Sequence, residues 1–231
     1  MALPAFMFFA SIGGLLAGAT WYLIQKRRST LMSVIALPFI IAPLELSFLD
    51  TSNIYTVKSK VFINASSEDV WKQLSTVSRI DSEELGFSFS NFIGIPRPVE
   101  ASMNGSGVDA IRESRWERGV VFKEKITEWE PNHKMSYSFE IDPDAIPDKA
   151  LDQHVKMGGE YFSPLTGGYE IISVSDNETI LLLKTVVRDN TNFGIYSQIW
   201  GEIIFEDFHQ SLLKVMKKRA ETSTERQFSL N

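Results

Sequence analysis

Asp207 carries the most chemical information in this 231-residue chain. A helical reading of residues 195–221, at about 100° per residue, sets it on one face with Tyr196, Trp200, Ile203 and Ser211. A carboxylate on an inward face needs a partner. That partner is either an arginine in a bidentate pair, Arg112 or Arg115 from opposite faces of one strand, or a ligand. Glu124 alternates with Phe122 and Ile126, and Tyr137 with Met135, Phe139 and Ile141. If those are concave faces, Glu124 and Tyr137 are polar points in an apolar pocket, which is how small-molecule sites fix orientation. Two titratable groups in one desolvated volume would also suit acid–base work. The three histidines are scattered: His133 in a turn, His154 in a loop, and His209 about 200° round the helix from Asp207, too far for a local dyad. With no paired ligands at metal spacing, no metal site is expected, and no cofactor. The absence of cysteine excludes disulfides, thiolate chemistry and cysteine-ligated zinc or iron–sulfur sites. Ser163 to Gly168, SPLTGG, lacks the context of a nucleophile elbow or phosphate loop, and its glycines are assigned to a turn.

The elements that would position these groups follow from periodicity. Residues 54–63 mix β-branched, aromatic and polar residues as a half-buried strand does. Ser66 or Ser67 then caps a helix with Glu68 and Asp69 in its first turn and Val70, Trp71 and Leu74 at helical spacing. Ile80 to Leu85 forms a second short helix. Residues 86–107, rich in Gly and Pro, are expected to be a long loop of possible functional interest. Strands follow at 108–116, 120–129 and 134–141, separated by short turns, then an excursion over 142–158, then strands near 168–174 and 179–188. A long amphipathic helix from Ile195 to Glu221 closes the domain, and residues 223–231 read as a tail. Trp116, Trp129 and Trp200 suit either an ordinary core or a pocket wall.

Residues 1–50 differ from the rest. Removing their Lys26, Arg27, Arg28, Glu45 and Asp50 from the totals of 23 basic and 29 acidic residues leaves 20 and 27 in residues 51–231, a net charge of −7. So acidic a domain excludes nucleic acid as partner. Pro4 to Ile24 carries no charge and is long enough to cross a hydrocarbon core of roughly 30 Å. A cleaved signal peptide would need a basic start, which MALP lacks. After QKRRST a weaker apolar stretch, 31–48, returns across the bilayer in this reading. Trp21 and Tyr22 suit the headgroup level, and Lys26 to Arg28 place the loop in the cytoplasm. The chain is thus expected to be an integral protein of the plasma (inner) membrane, its C-terminal domain on the extracytoplasmic side. Lys58 and Lys60 pull weakly the other way.

VFINASSEDVWKQLSTVSRI resembles the opening strand and helix of the START-like superfamily, also called the polyketide cyclase and lipid-transport or SRPBCC superfamily. GVDAIRESRWERGVVFKEKITEWEPNHKMSYSFEI is similar to its Gly-x-x-x-x-Arg strand and the two that follow, here with Arg112, Glu124 and Tyr137. FSPLTGGYEI and IYSQIWGEIIFEDFHQSLLKVMKKRAE resemble the closing segments of membrane-anchored members. The resemblance spans residues 55–222. It implies an α+β helix-grip fold, an antiparallel sheet wrapped around a long C-terminal helix, here preceded by an N-terminal transmembrane hairpin. It also implies a cavity between sheet and helix, with Arg112, Trp116, Phe122, Glu124, Tyr137, Phe139, Trp200 and Asp207 as cavity or ligand candidates. The function expected is a membrane-tethered binding or transfer module for a hydrophobic small molecule or lipid. The alternatives are a cyclase- or dehydratase-like enzyme using Glu124, Tyr137 or Asp207, and a membrane interaction protein whose cavity has collapsed. No catalytic constellation in the sequence asks for more than binding.

Overall fold

The computed structural model describes residues 3–24, 53–150, 157–191 and 194–229. The chain divides into two units, Met1–Asp50 and Thr51–Asn231. In the first, Leu3–Ile24 forms helix α1, 22 residues without a charge, in which Leu15, Leu16, Trp21 and Tyr22 are exposed. Among the residues described to the level of side chains, no helix is long and apolar enough to cross a membrane. The second span of the expected hairpin, 31–48, lies outside the described residues.

The second unit is a seven-stranded, wholly antiparallel sheet and one long helix, the α+β helix-grip arrangement. Its elements are β1 (Asn53–Ile63), α2 (Ser67–Ser75), α3 (Ser82–Leu85), α4 (Phe89–Phe92), β2 (Pro98–Asn104), β3 (Ile111–Trp116), β4 (Val121–Glu130), β5 (Lys134–Glu140), β6 (Phe162–Ser175), β7 (Glu178–Asp189) and α5 (Ile195–Ser229). The spatial order is β1-β7-β6-β5-β4-β3-β2. Strand alternation sets the inward face: Tyr55, Val57 and Ser59 on β1 are buried, while Ile54, Lys58 and Lys60 face out. Ser66 caps α2 by accepting from the Asp69 amide at 3.2 Å, and Val70 and Leu74 turn into the core. That core lies between the concave sheet and α5, where Ile126, Met135, Leu181, Leu213 and Met216 are fully buried. Truncating such a side chain to Ala costs about 2–5 kcal/mol.

Four expectations are corrected. Residues 86–107 are not an irregular loop, since they hold α4 and the edge strand β2. Pro98 and the positive-φ glycines at 94, 105 and 107 hide that strand, yet a proline is tolerated at the first residue of an edge strand, where no ladder bond is lost. SPLTGG is the start of β6 rather than a turn. Its Gly167 is required because the Tyr137 ring of the neighbouring strand occupies the space a Cβ would take. The segment 223–229 continues α5, with Thr224 buried, instead of fraying. Finally, the inward face of α5 is rotated from the expected one. Ile203 is 44% exposed and Trp200 half-buried, while Gly201, His209, Leu212, Leu213, Met216 and Ala220 meet the sheet. At Gly201 the sheet comes so near that the Tyr55 hydroxyl fills the place of a side chain. A face chosen by its aromatic residues missed a contact made by the smallest residue.

Candidate functional site

A cavity of about 50 Å³ lies between the concave sheet and α5. At about 10–15 Å³ per ordered water, that admits a few waters and no large ligand. Its walls are mostly apolar, including Ile80, Ala101, Phe139, Leu183, Phe205, Phe208 and Leu212, and its polar groups come from neighbouring strands of the sheet. Arg112 on β3 and Glu124 on β4 stand directly opposite in register, both inward, and form an ion pair between Arg112 Nη1 and Glu124 Oε2. Both are almost wholly buried. Tyr137 and Tyr169 complete the group, with ring centroids 6.3 Å apart and the Arg112 guanidinium 6.0 Å from the Tyr169 ring.

The electrostatics follow from burial. Desolvation pushes the Glu124 carboxyl up, and the Arg112 charge and hydrogen bond pull it back only in part. Burial raises the Tyr137 phenol well above its ordinary value, and the Glu124 charge adds to this. Tyr169 is raised mainly by burial too, with Arg112 opposing. Desolvation lowers the Arg112 pKa, but Glu124 and then the two tyrosines more than offset it, so the guanidinium keeps its charge. One donor of this cluster is unused: Arg112 Nε is buried with no hydrogen-bond partner. A buried donor left unsatisfied costs about 1–3 kcal/mol, so it marks a place where an acceptor would be stabilised.

Asp207 pairs with neither Arg112 nor Arg115, so the arginine alternative of the sequence reading is overturned. Its Oδ2 accepts from Ser88 Oγ at 2.7 Å, Ser90 N at 2.9 Å and Ser90 Oγ at 2.6 Å, and its Oδ1 from Phe89 N at 3.1 Å. Burial alone would raise its pKa, yet the donors from Ser90, Ser88 and Phe89 bring it below the ordinary carboxylate value. Asp207 thereby latches α4 onto α5. The latched segment runs between Gly86 and Gly94, both at positive φ, a backbone conformation that glycine adopts at no steric cost. It carries Phe87 and Phe92, 79% and 75% exposed, and Phe89, which stacks on Trp200 at 6.2 Å. Ile80 and Pro98, on either side of it in sequence, line the cavity.

Of the sequence candidates, Arg112, Glu124, Tyr137 and Phe139 converge on the cavity. Trp116 and Phe122 stand beside it, with Trp116 against the lining residue Phe208 at 4.9 Å and against Phe122 at 5.7 Å. Trp200 and Asp207 belong to the latch instead. Sequence reasoning passed over Tyr169 and Thr185, and weighed His209 only as too far from Asp207 for a dyad. His209 is fully buried, its Nε2 2.9 Å from Thr185 Oγ1 and its Nδ1 3.2 Å from Ser59 Oγ. Thr185 itself lines the cavity, so His209 ties the helix to the sheet directly behind the cavity wall. Desolvation pushes the imidazole down to about 4. The available signal was its setting in the apolar run Phe205, Phe208, Leu212, Leu213.

No family model and no curated protein matches the chain. Among solved structures it is similar to an aromatase/cyclase from Streptomyces sp. R1128, at 13% identity and a TM-score of 0.48, covering 74% of this chain and 96% of that one. It is also similar to norcoclaurine synthase from Thalictrum flavum in complex with dopamine and hydroxybenzaldehyde, at 13% identity and 0.44, covering 73% and 87%. A conserved protein from Enterococcus faecalis gives 11% and 0.41, covering 76% and 75%. At these identities and scores none of the likenesses bears on activity.

Proposed function

We propose that the C-terminal domain is a binding module for a small hydrophobic molecule bearing a hydrogen-bond-accepting group, held at a membrane by the N-terminal segment. The observation that carries this reading is the unpartnered Arg112 Nε, buried within an ion pair at the wall of an otherwise apolar cavity. Apolar walls supply affinity and one or two polar points supply orientation. A cavity of about 50 Å³ also suits a collapsed, purely interacting domain. Against that stands the cost of keeping a charged pair and an idle donor inside a core with no ligand to use them. In this reading a ligand larger than a few waters enters by displacement of the 86–94 segment, which lies in sequence between the lining residues Ile80 and Pro98, with release of the Asp207 latch.

Membrane tethering is supported by the uncharged α1 and its exposed Leu15, Leu16, Trp21 and Tyr22, a surface that suits hydrocarbon and headgroups better than water. Resistance of the full chain to alkaline carbonate extraction tests it, and release into the supernatant refutes it. A plasma-membrane location with the domain outside is part of the proposal, resting on Lys26, Arg27 and Arg28. A C-terminal reporter active only in the cytoplasm would overturn it.

The binding reading is tested by stopped-flow titration with 1-anilinonaphthalene-8-sulfonate, whose rings match the walls and whose sulfonate matches Arg112. Arg112→Lys retains the charge opposite Glu124 and removes Nε, so affinity should fall roughly tenfold or more. Asp207→Asn should speed entry. Equal affinity in wild type and Arg112→Lys contradicts the assignment. A cyclase-type activity is the second reading, favoured by Glu124 and Tyr137 facing one volume. It requires that a loaded ligand be recovered chemically altered.

A further inference from the structure

A second polar site lies where β1 begins, β7 ends and the first turns of α5 cross them. Asn53 pairs with Asp189 and Tyr55 with Val187, so the Asp189 and Tyr55 side chains share the face under α5. Asp189 is only 3% exposed. Its Oδ1 accepts from the Thr191 amide at 2.8 Å, but its Oδ2 is buried without a hydrogen-bond partner. The Tyr55 hydroxyl, on a residue 7% exposed, is likewise buried and unpartnered, and it points at the α5 backbone beside Gly201. Glu202 follows Gly201 on α5, next to the point where the Tyr55 hydroxyl meets the helix. Burial and then the charges of Asp189 and Glu202 raise the Tyr55 phenol above its ordinary value. The Thr191 hydroxyl is a further buried, unpartnered oxygen next to Asp189.

Neither carboxylate forms an ion pair with a lysine or arginine among the described residues. Glu202 Oε1 accepts from Gln198 Nε2 at 2.8 Å, and Gln198 in turn accepts from Asn53 Nδ2 at 2.6 Å. Arg188 faces the other side of the sheet, opposite Ile54, which is 60% exposed. A buried carboxylate with an idle oxygen, a second carboxylate nearby and a phenol that bonds to neither is an arrangement missing a positive charge. Water would satisfy hydrogen bonds here and leave the charge uncompensated.

We infer that this corner binds a hard, oxygen-liganded cation of the calcium class, with Asp189 Oδ2, Glu202 and the Tyr55 hydroxyl as the protein groups nearest to it. Calcium takes carboxylates, neutral oxygens and waters together in flexible geometry, whereas magnesium demands a near-ideal octahedron. The corner offers no imidazole or thiolate among the described residues, so zinc and copper are not suited. The site is separate from the Arg112 cavity and stands or falls without it. It would also pin the start of α5 to the sheet, since its groups come from both.

The test uses the full chain stripped with chelator, titrated with calcium chloride by calorimetry and with terbium chloride by luminescence. Saturable one-to-one calcium binding, a raised melting temperature and terbium emission sensitised through the adjacent tyrosine are expected. Asp189→Asn should weaken calcium binding roughly tenfold or more. If that variant does not fold by circular dichroism, Glu202→Gln, at a partly exposed position, serves for the same comparison. Absence of saturable binding, undiminished binding in the folded variant, or tighter binding of magnesium than of calcium overturns the inference.

Discussion

His209 makes the stability of the domain depend on pH in a calculable way. Its imidazole titrates at about 4 in the folded protein, against about 6.5 in an unfolded chain. Because the folded value is depressed, the unfolded state binds the extra proton first. The contribution is therefore complete above about pH 6.5, falls as the pH drops from there, and is gone below about 4. At about 1.4 kcal/mol per unit, a shift of this size is worth about 3 kcal/mol. The groups facing the ring are the hydroxyls of Ser59 and Thr185 and, on its own helix, the rings of Phe205 and Phe208; none is a carboxylate able to stabilise the cation. Acid also weakens the domain through Asp207 and Glu84, whose pKa values are lowered in the fold. The assay is accordingly a comparison: urea unfolding of wild type and His209→Gln at intervals from pH 7.5 to 4. The stability difference between the two should shrink by about 3 kcal/mol across that range. A difference constant with pH would refute the buried, neutral imidazole.

Arg112→Met and Glu124→Leu should each cost about 3–5 kcal/mol by stranding the other charge, and the double variant less than their sum. Strictly additive losses in chemical unfolding would mean that the two do not interact. Asp207→Ala removes the acceptor of four hydrogen bonds; a loss of about 2 kcal/mol and faster limited proteolysis within residues 86–94 are expected. An unchanged cleavage rate would show that the segment is held by other means. Gly167→Ala should cost about 1–3 kcal/mol by driving a methyl into the Tyr137 ring, and an unmoved denaturation midpoint would contradict that close approach.

Much of the fold is legible in the chain because local signals agree with it. The capped α2, the meander β3–β4–β5 and the final helix each carry their own period and punctuation. Alternation likewise sets Glu124 and Tyr137 inward. What escaped depends on pairing between distant segments. Gly167 reads as a turn until Tyr137 is known to lie over it, and β2 reads as a loop until β3 is beside it. Asp207 lies 119 residues from Ser88, and no local pattern marks a carboxylate that serves a remote short helix rather than an arginine. The role of His209 is missed for a related reason: its partners, Ser59 and Thr185, come from two strands brought together only by the sheet.

The claim that the cavity is a ligand site anchored by Arg112 is tested most directly by native mass spectrometry of the full chain, purified without added lipid. Wild type should carry a hydrophobic adduct with a hydrogen-bond-accepting group, released on denaturation and identifiable by extraction, and Arg112→Lys should lose most of it while remaining folded. A wild-type spectrum of bare polypeptide, or an equal adduct in Arg112→Lys, would contradict the account.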